Sequence, residues 1–216
     1  VFSSIDRGGR YAFSNQPGIA LWNLTRLAEA LLPLVDDNAE RAAARLTERL
    51  EEFPARFHAA YEGELRRKLG LHAAKEGDTA LAEGLLARMA ADGVDYTVAF
   101  RTLTGTAANG DDGTFVALFK DAAPIREWLS SWHARLDEEP ASREERTALM
   151  RHANPAFIPR NHRIEEMIAA AIAGDFEPFH RLVRVLARPY DDQPSDAELT
   201  LPPGADQRSY RTFCGT

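Results

Sequence analysis

Between Ala42 and Gly70 the sequence repeats one instruction, an apolar residue every three or four positions. Ala42, Leu46, Leu50, Phe53, Phe57, Tyr61, Leu65 and Leu69 all fall on that spacing. Such a pattern buries one face of a helix; a strand would need a period of two. Pro54 lies inside the run. It has no amide hydrogen and crowds the preceding turn, so the helix is expected to bend or split there. Gly70 ends the pattern and suits a C-cap. Glu48, Arg49, Glu51, Glu52 and Arg56 fill the other face and keep it solvated.

The same period organises the rest of the chain. Pro17 suits the first turn of a helix, with Ser14 or Asn15 as cap candidates. Ala20, Leu24, Leu27, Ala28, Leu31 and Val35 then predict a buried face, and Leu21 and Trp22 widen it. That helix is expected to be covered on more than one side. GDTALAEGLLARMA and GDFEPFHRLVRVLA open alike, with Asp78 and Asp175 as expected N-caps. Nothing else repeats at that period, so the likeness reads as shared capping chemistry rather than duplication. A short helix near Tyr96–Leu103 is expected to give way to a loop, GTAANGDDG. Phe115–Phe119 follows. Ile125, Trp128, Leu129, Trp132 and Leu136 share one face of a helix begun by Pro124, and Ser142 with Glu145 spells a capping box. Asn154-Pro155 and Pro159 break the pattern, and Ile164, Met167, Ile168, Ala171 and Ile172 carry one more helix to Gly174. From Arg188 onward Pro189, Pro194, Pro202 and Pro203 replace the helical period, which predicts an arm that is disordered or laid along a surface. The expected organisation is a leading segment 1–17, a mainly α helical body 18–187 and an irregular C-terminal arm 188–216.

Composition narrows the function. With 26 basic against 33 acidic residues the net charge is −7, and the basic residues are scattered singly. Direct nucleic-acid binding leaves a basic footprint, so no nucleic-acid partner is expected. No uninterrupted apolar run reaches the ~20 residues that span a bilayer and no signal-peptide pattern opens the chain, so no membrane partner is expected either. A single cysteine, Cys214, excludes an internal disulfide framework and a cysteine-rich zinc site, and fits a reducing compartment. His162 and Glu165 stand three apart on a helix, as metal ligands can, but no second such pair accompanies them on another helix. Gly8-Gly9 without a Walker A lysine is no phosphate cradle. The residues alone complete no catalytic set: catalytic, cofactor-binding and metal residues are all read as none in this chain.

Three stretches are not generic helix. They are DRGGRYAFSNQPGIALWNLTRLAEALLPL (Asp6–Leu34), NPAFIPRNHRIEE (Asn154–Glu166) and the closing YRTFCGT. In this order and spacing they closely resemble the C-terminal half of the SelO/YdiU family, protein adenylyltransferases with a protein-kinase-like fold. The resemblance runs over the whole chain. It implies the helical large lobe (C-lobe) of that fold. It also implies that the nucleotide-gripping loop, the ion-paired lysine, the catalytic aspartate and the metal-holding residues all precede GRYAF. Family members transfer AMP from ATP to Ser, Thr or Tyr hydroxyls of other proteins with Mg²⁺ or Mn²⁺. The implied partners are the N-terminal kinase-like half of the same protein and protein substrates, in the bacterial cytoplasm. No cofactor is expected on this chain alone, which is expected to be inactive. The opening on Val1, directly before a dense motif, reads as a fragment of a longer protein.

The resemblance also bears on the terminal thiol. Some relatives carry selenocysteine near the C-terminus, and others have a cysteine in the position of Cys214, which in some bacterial members pairs with one in the activation-like loop. Counting back from Gly9-Arg10-Tyr11, that loop position is Phe2 here, so Cys214 is a redox candidate without its partner. Asp6, Arg10 and Tyr11 are candidate anchors of an activation-segment-like stretch, with a turn or salt-bridge contact as the plainer reading. Arg160 and Asn161 are expected to tie loops to the helical body. The rival reading of the whole is a non-enzymatic, all-helical protein-interaction module.

Overall fold

The long apolar ladder folds as two helices, α2 (Ala39–Glu51) and α3 (Phe53–Leu69). The break falls at Glu52, so Pro54 enters the first turn of α3, where a missing amide hydrogen costs nothing. At the far end Gly70 takes a left-handed φ of 78°. Its amide donates to Arg67 O (3.1 Å) and that of Leu71 to Arg66 O (2.9 Å), the paired bonds of a Schellman cap. This computed structural model describes residues 6–10 and 12–204. Those residues contain helices and turns and no strand. They fall into two compact units, and the chain passes from one to the other within α3, between Tyr61 and Glu62.

In the first unit α1 (Gln16–Val35) packs against α2. Asn38 caps α2 by accepting from the Arg41 amide (3.0 Å). Asn15 precedes α1 without capping it; its Nδ2 donates to Gly9 O (2.8 Å). The expectation that α1 is covered on more than one side is not met. Ala28 is buried, but Trp22, Leu24, Leu27 and Leu34 are exposed, Leu27 by 53%. The period predicts which residues share a face, and it does not supply the partner that covers it. Length and composition single out one helix that the count of uninterrupted apolar residues passes over. The helical stretch Phe13–Val35 is long and apolar enough to cross a membrane by length and composition. Its leucines outweigh Asn23, Thr25 and the Arg26–Glu29 pair (2.6 Å), a pair that is costly at membrane depth.

The second unit holds α4 (Asp78–Asp92), α5 (Tyr96–Asn109), α6 (Gly113–Val116), α7 (Ala122–Asp137), α8 (Arg143–Ala153), α9 (Asn161–Ile172) and α10 (Glu177–Leu186). Its core runs through Leu69, Leu85, Phe100, Leu103, Phe115, Ile125, Trp132 and Met150. Trp128 and Trp132 stack at 5.9 Å, and their indole N–H groups donate to Leu81 O (2.8 Å) and Leu69 O (2.9 Å). Each ring thus buries its area with its polar atom satisfied. The capping box at Ser142 and Glu145 forms as expected.

Four local expectations are revised. Asp78 is not an N-cap: Gly77 holds that position, and the Asp78 side chain is drawn into the core by Arg135. Asp175 lies one residue outside the cap position of α10, though its Oδ1 still accepts from the Glu177 amide (3.0 Å). The helix expected to stop near Leu103 continues to Asn109, through the stretch read as a loop, and ends at Gly110 with φ 75°. Finally, Ile168 and Ile172 face outward, Ile172 by 83%. The arm is ordered as far as it is described: Pro194–Thr200 forms 3-10 turns, and Leu199 joins Ala156, Phe157, Leu182 and Val185 in a second apolar cluster.

Candidate functional site

The Asp6–Arg10 stretch is a tight turn. The Gly9 amide donates to Asp6 O (3.1 Å), the Arg10 amide to Asp6 Oδ1 (2.7 Å), and Gly9 supplies a φ of 65° that a side chain would disfavour. The Arg10 guanidinium lies 5.6 Å from the centre of the Trp22 ring, and that of Arg26 lies 5.5 Å from it. Arg10 is therefore pinned to α1 by a cation–π contact. Tyr11 and Cys214, the other candidates in sequence, lie outside the described residues, as does Phe2.

The NPAFIPRN stretch is a knot of hydrogen bonds. Asn154 is 1% exposed. Its Nδ2 donates to Lys68 O (3.0 Å) and Thr104 Oγ1 (3.1 Å), and its Oδ1 accepts from Lys68 Nζ (3.3 Å). Lys68 Nζ also donates to Ala153 O (2.8 Å) and sits 5.2 Å from the Phe100 ring centre; burial pulls its pKa below the ordinary lysine value. The Ala156 and Phe157 amides donate to Pro189 O. Arg160 makes a bidentate pair with Asp95, at 2.8 and 3.0 Å, while Asp95 caps α5 by accepting from the Val98 amide. Burial raises the Asp95 carboxyl, but Arg160 and the Val98 amide outweigh it and hold the group below the usual carboxylate range. Arg160 thus ties its loop to the helical body, as expected.

A buried charge cluster escaped the sequence reading. Arg135 binds Asp78 (2.7 Å), Glu139 (2.7 Å) and Ala73 O (2.7 Å). Glu139 also accepts from the His72 and Ala73 amides. Glu139 follows Arg135 by four positions, just past the end of α7, a spacing visible in the sequence; Asp78, 57 positions away, gave no such signal.

These side chains hold loops and helix ends in place through hydrogen bonds and ion pairs. His133 Nε2 lies 2.9 Å from Asp112 Oδ1, but no Ser, Thr or Cys side chain bonds that ring among the described residues. His162 is buried, and burial, followed by Arg163, lowers its pKa and so favours the neutral imidazole. Among the described residues no group of three or more His, Cys, Asp or Glu is placed to hold a metal ion.

Comparison with known proteins then identifies the chain's kin. The family model described as protein adenylyltransferase SelO matches residues 1–187. The protein nucleotidyltransferase YdiU of Bradyrhizobium sp. strain BTAi1 is 54% identical over 217 residues, covering all of this chain and 44% of the relative. That of Methylorubrum populi is 52% identical over 224 residues (all of this chain, 45% of the relative), and that of Agrobacterium fabrum 48% over 217 residues (all of this chain, 44% of the relative). The chain therefore spans less than half the length of these curated relatives. A match that takes in residues 1–187, with identity near one half along the whole sequence, makes this chain a member of the SelO family of protein adenylyltransferases.

Proposed function

We propose that this chain is the C-terminal helical part of a protein adenylyltransferase whose catalytic residues lie in polypeptide outside these 216 residues. What carries the reading is α1. Its exposed Trp22, Leu24 and Leu27 continue into an apolar groove of about 330 Å³, lined by Leu31, Leu46, Leu50 and Phe53. Such a face is a surface to be covered. Relatives more than twice as long supply the polypeptide to cover it. In this proposal the covering polypeptide is the N-terminal, kinase-like half, and the helices here are the large lobe of that fold, in the bacterial cytoplasm. Segment 1–17 serves as the activation-segment-like stretch, anchored by Asp6, Arg10 and Tyr11; 18–187 is the helical body; and 188–216 is the arm that carries Cys214 for thiol exchange.

The whole protein would transfer AMP from ATP to a Ser, Thr or Tyr hydroxyl. The hydroxyl oxygen attacks the α-phosphorus, its proton is lost, and pyrophosphate leaves. Mg²⁺ or Mn²⁺ with ATP does not fit the described residues, which offer no convergent ligand set, so no step is assigned to them here. What this chain contributes is support: Asn154, Arg160 and Arg135 lock loops to helices, and Arg10 holds the leading turn to α1.

A non-enzymatic interaction module would use the same α1 groove to hold a partner helix. Incubation with α-labelled ATP, Mg²⁺ or Mn²⁺ and a protein acceptor separates the readings. The full-length protein is expected to label the acceptor and the 216-residue chain to leave it unlabelled. Robust transfer by the chain alone overturns the proposal; a full-length protein that also fails to label favours the module.

A further inference from the structure

Gly105 stands in the interior of α5, where glycine costs about 1 kcal/mol relative to alanine. Neither backbone nor packing calls for it. Its φ is not positive, and a Cβ built on it meets nothing within 4 Å. The glycine instead keeps open a polar hollow of about 350 Å³, within the size range of small-molecule sites. Arg101, Thr102 and Asn109 of α5, Thr114 of α6 and Arg151 of α8 line it with Gly105.

The donors in this hollow are underused. Arg151 is exposed and has no hydrogen bond or ion pair among the described residues, and the hydroxyls of Thr102 and Thr114 have none either. Asn109 accepts from the Asp111 amide through Oδ1 (2.8 Å), which leaves its Nδ2 to donate. Arg101, by contrast, is anchored: its side chain is 18% exposed, Nη1 donates to Asn154 O (3.1 Å) and Nη2 pairs with Asp192. An unpaired guanidinium beside hydroxyl and amide donors suits an oxyanion, phosphate above all. Asp111 and Asp192, also in the lining, each use one carboxylate oxygen within the protein, with Gly113 N (2.8 Å) and Arg101. The second oxygen of each is an acceptor suited to a ligand hydroxyl.

We propose that this hollow binds the phosphate monoester of a small polyol, its phosphate on Arg151 with the Thr102 and Thr114 hydroxyls and its hydroxyl groups on Asp111 and Asp192. The site lies within the second unit and is independent of the transfer chemistry proposed above.

Calorimetric titration of the 216-residue chain at about 50 mM salt tests it. Ribose 5-phosphate is expected to bind saturably at one site, at least about tenfold more tightly than ribose or inorganic phosphate. Arg151→Gln should weaken binding at least tenfold. Gly105→Leu should abolish it while the melting temperature holds or rises, because leucine fills the hollow and favours the helix. Arg184→Gln, at an exposed arginine paired with Glu177 elsewhere, should leave binding unchanged. Absence of saturable binding overturns the proposal, as does wild-type affinity in Arg151→Gln or Gly105→Leu. Equal weakening by Arg184→Gln would show diffuse charge attraction, and equal affinity for inorganic phosphate would remove the polyol; either outcome also overturns it.

Discussion

Glu139 shows how a single buried carboxylate is made stable. Burial pushes its pKa up, but the Arg135 guanidinium and the Ala73 and His72 amides outweigh that and hold it below the ordinary glutamate value. In the unfolded chain the group titrates near 4.3. Between that value and the lower folded one the unfolded state binds more protons, so stability rises with pH across this window. The contribution is present above about pH 4.3 and is lost as pH falls through the folded value. Urea midpoints measured from pH 3 to 6 should therefore climb less steeply for Glu139→Gln than for the parent chain; parallel curves would contradict the assignment. This cluster was half legible in the sequence. Arg135 and Glu139 are close in sequence, four positions apart at the end of α7, but Asp78 looked like a cap because capping chemistry is local and its partner is not. The Asn154 knot was legible only as a motif, since its partners Lys68 and Thr104 lie 86 and 50 positions away.

At the scale of elements, the helical period was the most readable signal. It located the faces of α2, α3 and α7, the Pro54 split and the Gly70 cap. It misjudged α5 because an interior glycine weakens a helix without ending it, and the helix runs through Gly105 to Gly110. It misjudged coverage because spacing describes one element and burial requires two. Gly70 makes a sharp test of what a helix end demands. A Cβ there would meet Arg146 Cγ at 2.7 Å and Met150 Sδ at 2.9 Å, besides suffering the positive φ. Gly174 also has a positive φ, 89°, but open space around it. Gly70→Ala should cost about 2–3 kcal/mol and Gly174→Ala about 1, by denaturant unfolding. Equal costs would mean that the contacts with α8 are not tight.

For the whole molecule, family membership and the shape of its exposed surface point the same way. The chain matches relatives more than twice its length, and the helix that follows GRYAF exposes Trp22, Leu24, Leu27 and Leu34. The mainly helical character was legible because helices announce themselves locally. The chemistry was not, because it depends on which side chains converge in space, and among the described residues no three His, Cys, Asp or Glu side chains converge to hold a metal ion. The most direct measurement places a cysteine at Leu27 in a Cys214→Ser background and follows maleimide labelling. The account predicts rapid modification in the 216-residue chain and labelling at least about tenfold slower in the full-length protein, where the face is covered. Equal rates in the two proteins would contradict it.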